Sequence, residues 1–196
     1  HTVNYCDRLD EFQLEMNPDN PLQYKFDGQW LDLEVKTIKL KIKGIPFRVK
    51  RKLYWSKYGA TMKNEQGFFS MRLGANMKIG VLDQWYQMNK AANFTEFYAA
   101  LNRQELSMFN IMYADKYDTV FYINNALMPV RDGSNGYTWK KTVPGNTSRT
   151  LWTQFRSLKD LPQYINPSSG FLFNTNHSSF LATAATDNLK PSSFAK

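Results

Sequence analysis

Two hydrophobic periods divide the chain. From Glu11 to about Ser56, apolar and polar residues mostly alternate: "FQLEM", then "LDLEVKTIKLKIK", then "PFRVKRKLYW", separated by "NPDNP" and Gly44. Period two places successive side chains on opposite faces, so these stretches read as strands joined by turns. "GFFSMRL" reads as a further short strand. The period then lengthens. In "GVLDQWYQMNKA" and "NFTEFYAALNRQEL", Val81, Trp85 and Met88, then Phe94, Phe97, Tyr98 and Leu101, fall at helical spacing. Asn93, with Glu96 three residues on, is a capping-box-like start to the second helix. "FNIMYAD" and "TVFYINN" alternate again around "KYD", which predicts a hairpin.

Beyond Ala126 the periodicity fades into "PVRDGSNG", "VPGNTS" and "INPSSG". An irregular stretch of this length builds a site or wraps a neighbour more often than it merely connects. Strands, a helical pair and more strands give the α+β class, with no internal repeat and no internal domain boundary. One short phrase poses its own question. The apolar run Phe171-Leu172-Phe173, which reads as a strand, ends in Asn174-Thr175-Asn176 rather than in Gly, Pro or Asp. Asparagine tolerates left-handed backbone and closes its own turns; a carboxamide aimed at a ligand is the alternative.

Composition narrows the function classes. With 196 residues, 42% hydrophobic, and 14 Phe, 11 Tyr and 5 Trp, the chain can bury a core and is not a disordered segment. No apolar run is long enough to span a bilayer. The opening "HTVNYCDRLDEF" begins as if inside a strand, so a processed chain or an excised piece is expected. The net charge of +8 raises a nucleic-acid reading. Yet Lys36, Lys39, Lys41 and Lys43 interleave with Val, Ile and Leu, as on the wet face of a half-buried strand. No nucleic-acid partner and no membrane partner are expected. Cys6 is alone and reads as a small buried residue.

Few residues can carry chemistry. His1 and His177 are the only histidines, and the chain has neither a nucleophile elbow nor a glycine-rich phosphate loop nor zinc spacing. Asp7 and Asp10 in "CDRLDEF" could meet a hard cation with a backbone carbonyl between them, though a solvated turn is the simpler reading. Tyr5, Trp85 and Phe109 are core rings by default. A β-rich ligand- or carbohydrate-binding module is the rival class, and it would need exposed, coplanar rings.

The phrases "HTVN", "NPDNPLQYKFDGQW", "YWSKYG", "QWYQMNKAANFTEF", "MYADKYDTVFYINN", "MPVRDG" and "QYINPSSGFLFNTN" occur in this order. Over essentially the whole chain they resemble the β-chain of the penicillin acylase family of N-terminal-nucleophile hydrolases. That family includes the acyl-homoserine-lactone and aculeacin acylases. The resemblance implies part of a four-layer αββα fold. It also implies a secreted or periplasmic amidohydrolase that matures by autoproteolysis and cleaves N-acyl amides through an acyl-enzyme. The nucleophile would be an N-terminal serine upstream of His1, and the partners the remaining segments of the same precursor.

By the same resemblance, the second asparagine of the N-x-N phrase, Asn176, and the backbone N–H of Val3 donate to the oxyanion. Tyr5, Trp85 and Phe109 line the acyl pocket. Asp7, Asp10 and Asp187, with the Leu9 carbonyl, occupy the positions of calcium ligands in calcium-binding members, where calcium is structural. No organic cofactor is implied. "HTV" and "QWYQMNKA" look like the lactone and aculeacin branch, the acids like the penicillin branch.

Overall fold

The computed structural model describes Thr2, Asn4 and residues 7–193. The chain divides into two compact units, one formed by residues 1–8, 77–129 and 154–196, the other by residues 9–76 and 130–153.

The second of these is built on strands. β1 (Leu9–Gln13), β4 (Glu34–Lys41), β5 (Arg48–Ser56), β6 (Gly59–Asn64), β7 (Gly67–Leu73) and β10 (Val143–Pro144) form one sheet, in the order β10-β1-β7-β6-β5-β4. Only the β1–β10 pair is parallel. A separate hairpin pairs β2 (Gln23–Phe26) with β3 (Gln29–Asp32). The alternating run "LDLEVKTIKLKIK", read as one strand, is therefore two. It breaks at Leu33, which is buried and sends its N–H to the Leu22 carbonyl at 2.8 Å. The Asp27-Gly28 turn, with φ of 47° and 83°, is of the hairpin kind that twists with its strands. Gly59 opens β6 at φ 137°, where an added Cβ would come within 2.7 Å of the Met71 carbonyl.

β4 corrects a second expectation. The lysine-rich strand forms, but it is the sheet's edge and neither of its faces is buried. Val35, Leu40, Leu53 and Trp55 along the β4–β5 ribbon are exposed together with the basic residues. Alternation fixes which residues share a face; burial needs something packed on that face.

The other unit sets α1 (Val81–Lys90) and α2 (Phe94–Leu101) on a three-stranded sheet of β11 (Gln163–Ile165), β9 (Val120–Asn124) and β8 (Asn110–Ala114), in the order β11-β9-β8. The helix start at Asn93 is as expected. Its Oδ1 accepts from Glu96 N–H, and Glu96 Oε2 accepts from Ala92 N–H. Phe121 and Ile123 of β9 join Phe97, Leu101, Leu106 and Leu158 in the main core, while Tyr122 packs with Tyr164 and Ala182. β9 is thus covered on both faces, as the middle strand of three should be.

Helical spacing did not reveal what holds α1. Gln84 is fully buried. Its Oε1 accepts from Glu105 and Leu106 N–H at 2.6 and 2.8 Å, and its Nε2 donates to the Leu101 carbonyl at 3.3 Å. One carboxamide therefore fastens α1 to the loop beyond α2. No helix among the described residues is long and apolar enough to cross a membrane.

Candidate active site

Carboxamides gather where the N-terminal segment meets β8 and β9. Thr2 and Asn110 exchange backbone hydrogen bonds of 3.0 and 2.8 Å in an antiparallel bridge. Two residues on, Asn4 Nδ2 donates to the Asn125 carbonyl at 2.7 Å and to Asn124 Oδ1 at 3.0 Å. Asn125 in turn donates to the Leu106 and Met108 carbonyls, and Asn110 Oδ1 accepts from Tyr122 OH at 2.9 Å. Short strands and irregular connections leave backbone groups without ladder partners. A carboxamide, with a donor and an acceptor on one rigid plane, supplies them.

The N-x-N phrase joins this cluster. The Thr2 hydroxyl donates to Asn174 Oδ1, which also accepts from Asn176 N–H at 3.2 Å. Asn174 Nδ2 remains buried with no hydrogen-bond partner among the described residues. Asn176 stands at φ 63° and is exposed, with no hydrogen bond from its side chain among the described residues. The turn reading of this asparagine is seen in its left-handed backbone. The preceding run Phe171-Leu172-Phe173 is not a strand, contrary to expectation. Phe173 N–H bonds to the Ala182 carbonyl at 3.0 Å, but no ladder continues from it.

Beside this turn lies a cavity of about 450 Å³. Asp7, Arg156, Asp160 and His177 supply its charged and titratable lining, and Met128 and Phe180 are among its apolar residues. Asn176, Trp85 and Phe109 do not line it. The two rings instead meet edge to face, centroids 5.9 Å apart and planes at 87°, and both pack against the helix-side core. Rings so arranged are not the coplanar exposed pair that a carbohydrate platform requires. Phe109 carries a further mark: its φ of 102° is a backbone state that bulky residues seldom adopt. Its carbonyl accepts from Asn125 N–H at 3.1 Å, and its neighbour Asn110 is the residue bridged to Thr2.

Val3 and Tyr5, assigned to the oxyanion and the acyl pocket, lie outside the described residues, as does Cys6. Of the acids, Asp10 is buried. Its Oδ2 accepts from Arg131 Nε at 2.8 Å and from Trp152 Nε1 at 2.7 Å, and its Oδ1 is buried without a hydrogen-bond partner. Asp187 accepts from the Ser168 hydroxyl and from Ser169 N–H, each at 2.7 Å. These two bonds, the hydroxyl's first, hold its carboxyl below the ordinary aspartate value. Leu9 opens β1 and is exposed. No group of three or more His, Cys, Asp or Glu able to hold a metal ion is found among the described residues.

Sequence reasoning singled out Asn176 and passed over Thr2, Asn4, Asn110, Asn124, Asn125 and Asn174. A signal was there. "YINN" and "FNTN" place asparagines at the ends of apolar runs twice over.

The penicillin amidase family profile matches residues 1–194, and the chain belongs to that family. It is 25% identical to the acyl-homoserine lactone acylase PvdQ of Pseudomonas fluorescens over 94% of this chain and 27% of that protein. It is 23% identical to penicillin G acylase of Escherichia coli over 90% of this chain and 21% of that enzyme. A solved structure, the thermostable penicillin G acylase from Alcaligenes faecalis, superposes with a TM-score of 0.78 at 24% identity, covering 97% of this chain and 35% of that one. The chain thus has the fold of part of an N-terminal-nucleophile hydrolase, and it spans roughly a quarter of the curated relatives it matches.

Proposed function

We propose that this chain is part of an acylase that cleaves N-acyl amides through an acyl-enzyme on an N-terminal serine outside the chain. In this reading Asn176 and the backbone N–H of Val3 are the two donors to the oxyanion. The observation that carries it is the Thr2–Asn174 hydrogen bond. It ties Thr2 to the turn that carries Asn176, while the Asn176 carboxamide stays free to donate. A neutral amide suits the role because it donates a hydrogen bond without a titrating proton. The serine's own α-amino group, with an ordinary pKa near ~8, would serve as base at neutral pH. The Trp85–Phe109 pair would hold the acyl group by apolar burial, worth about 25 cal/mol per Å². A periplasmic or secreted location, and a substrate of the β-lactam, acyl-homoserine-lactone or lipopeptide type, belong to the same proposal.

The test is Asn176→Ala in the complete enzyme, assayed on penicillin G and on an N-acyl-homoserine lactone. On the substrate that is turned over, kcat should fall ~10²–10³-fold, about 2.7–4 kcal/mol of barrier, with KM nearly unchanged. Full retention of kcat removes Asn176 from the chemistry.

Calcium enters this proposal through Asp10, whose buried and unpartnered Oδ1 is an oxygen a hard cation would accept. Its Oδ2 is already neutralised by Arg131. Further ligands would come from Asp7, Asp187, the Leu9 carbonyl and the rest of the enzyme. Calorimetric titration of the complete, chelator-treated enzyme should show one calcium bound, and no heat above background would discard the site.

A further inference from the structure

The turn that carries Asn176 is closed by the imidazole of the next residue. Thr175 N–H donates to His177 Nδ1 at 3.0 Å, and His177 Nε2 faces the Leu181 carbonyl at 2.9 Å. A backbone N–H can only donate and a carbonyl can only accept. The ring must therefore be neutral, with its proton on Nε2. The Thr175 hydroxyl also lies 3.0 Å from Nδ1, and the ring stacks on Phe173 with centroids 4.9 Å apart. His177 thus bonds to the residues on both sides of the turn, while the Asn176 side chain bonds to nothing among the described residues.

We propose that His177 is a positioning residue for Asn176, holding the turn that presents its carboxamide. The proposal rests on the reading of Asn176 as an oxyanion donor. Upstream, the turn is anchored through Asn174 to Thr2; downstream, its anchor is His177.

Three variants of the complete enzyme test this: Asn176→Ala, His177→Phe and His177→Gln. His177→Phe keeps a ring against Phe173 and loses both polar anchors. Its kcat should fall about 10-fold or more with KM within about twofold, as expected for a contact felt in the transition state. In an Asn176→Ala background the same change should cost nothing further, because two residues acting through one contact are not additive. His177→Gln keeps one donor and one acceptor on a single side chain and should recover part of the kcat lost in His177→Phe.

Several results would overturn the inference: additive losses, an effect confined to KM, or a His177→Gln loss as large as that of His177→Phe. Should His177→Phe fail to mature, His177→Gln with and without Asn176→Ala decides by the same additivity test. Slow Asn176→Ala with unchanged His177→Phe removes the latch and leaves the oxyanion reading intact. Unchanged Asn176→Ala removes both.

Discussion

The two units bury different kinds of polar side chain. Among the described residues, the helix-bearing unit buries Asn4, Gln84, Asn110, Asn125, Ser179 and Thr183; the strand-rich unit buries Asp10, Ser56, Thr61, Ser70 and Thr150. Carboxamides dominate the first set and are absent from the second. The reason lies in the backbone. In the six-stranded sheet, ladder bonds satisfy most peptide groups, and short hydroxyls suffice for one another and for the few groups left at the turns. Ser70 Oγ lies 2.7 Å from both Ser56 Oγ and Thr61 Oγ1, one hydroxyl from each of three neighbouring strands, while Ser56 Oγ accepts from Tyr58 N–H and Thr61 Oγ1 donates to the Gly59 carbonyl. The helix-bearing unit has short strands and long irregular connections. Its carboxamides act as partners for peptide groups that no ladder reaches. Irregular backbone needs side-chain partners, and buried carboxamides supply them in this unit.

The comparison breaks hardest at the one carboxylate buried among the described residues. Asp10 is 3% exposed and anchors Arg131 and the Trp152 indole. Asp10→Ala strands a mostly buried guanidinium and should cost about 3–5 kcal/mol of local stability. Hydrogen exchange on the complete enzyme should show the loss in β1 and the residues around Arg131 and Trp152. A change under about 1 kcal/mol would mean that this ion pair is no anchor. Gln84→Leu is the matching experiment in the other unit. It keeps the volume but leaves Glu105 and Leu106 N–H without their acceptor, and should cost about 3 kcal/mol. Protection should drop in α1 and at residues 105–106. Equal protection in variant and wild type would show that apolar packing alone holds the helix.

These two residues also mark how far the sequence could be read. The α1 pattern was legible because Val81, Trp85 and Met88 repeat at helical spacing; Gln84 beside them looked like a solvent residue, since periodicity cannot tell a wet glutamine from a bonded one. The β8–β9 hairpin and the Asn93 cap were legible because each is set by residues close in sequence. The β2–β3 hairpin was signalled by Asp27-Gly28, but was hidden by the stronger alternation running on past it. At the site, Asn176 was reached through its resemblance to a family pattern. The Asn4–Asn124 and Thr2–Asn174 bonds span 120 and 172 residues, beyond any local pattern.

The smallest expected effect sharpens the comparison by locating where it stops. Both units pin a loop with a carboxylate that water reaches: Asp27 Oδ1 accepts from Ser148 N–H at 2.8 Å, and Asp187 Oδ2 from Ser169 N–H at 2.7 Å. Asp27 is held below the ordinary aspartate value chiefly by the Ser148 backbone bond, Asp187 chiefly by the Ser168 hydroxyl. A carboxyl whose folded pKa is depressed adds stability above its unfolded value, about 3.9, and loses it as pH falls through the lower folded value. Asp27→Asn and Asp187→Asn keep an acceptor oxygen and remove the charge. Each should show slightly less exchange protection than wild type, at the 148 and 169 amides respectively, at about pH 6, and the gap should close below about pH 4. Because both sites are open to solvent, the two gaps should be similar in size. A gap that widens in acid would reverse the assigned sign. A gap in one unit alone would extend the contrast from the interiors to the surface, where the same hydrogen-bond chemistry gives it no cause.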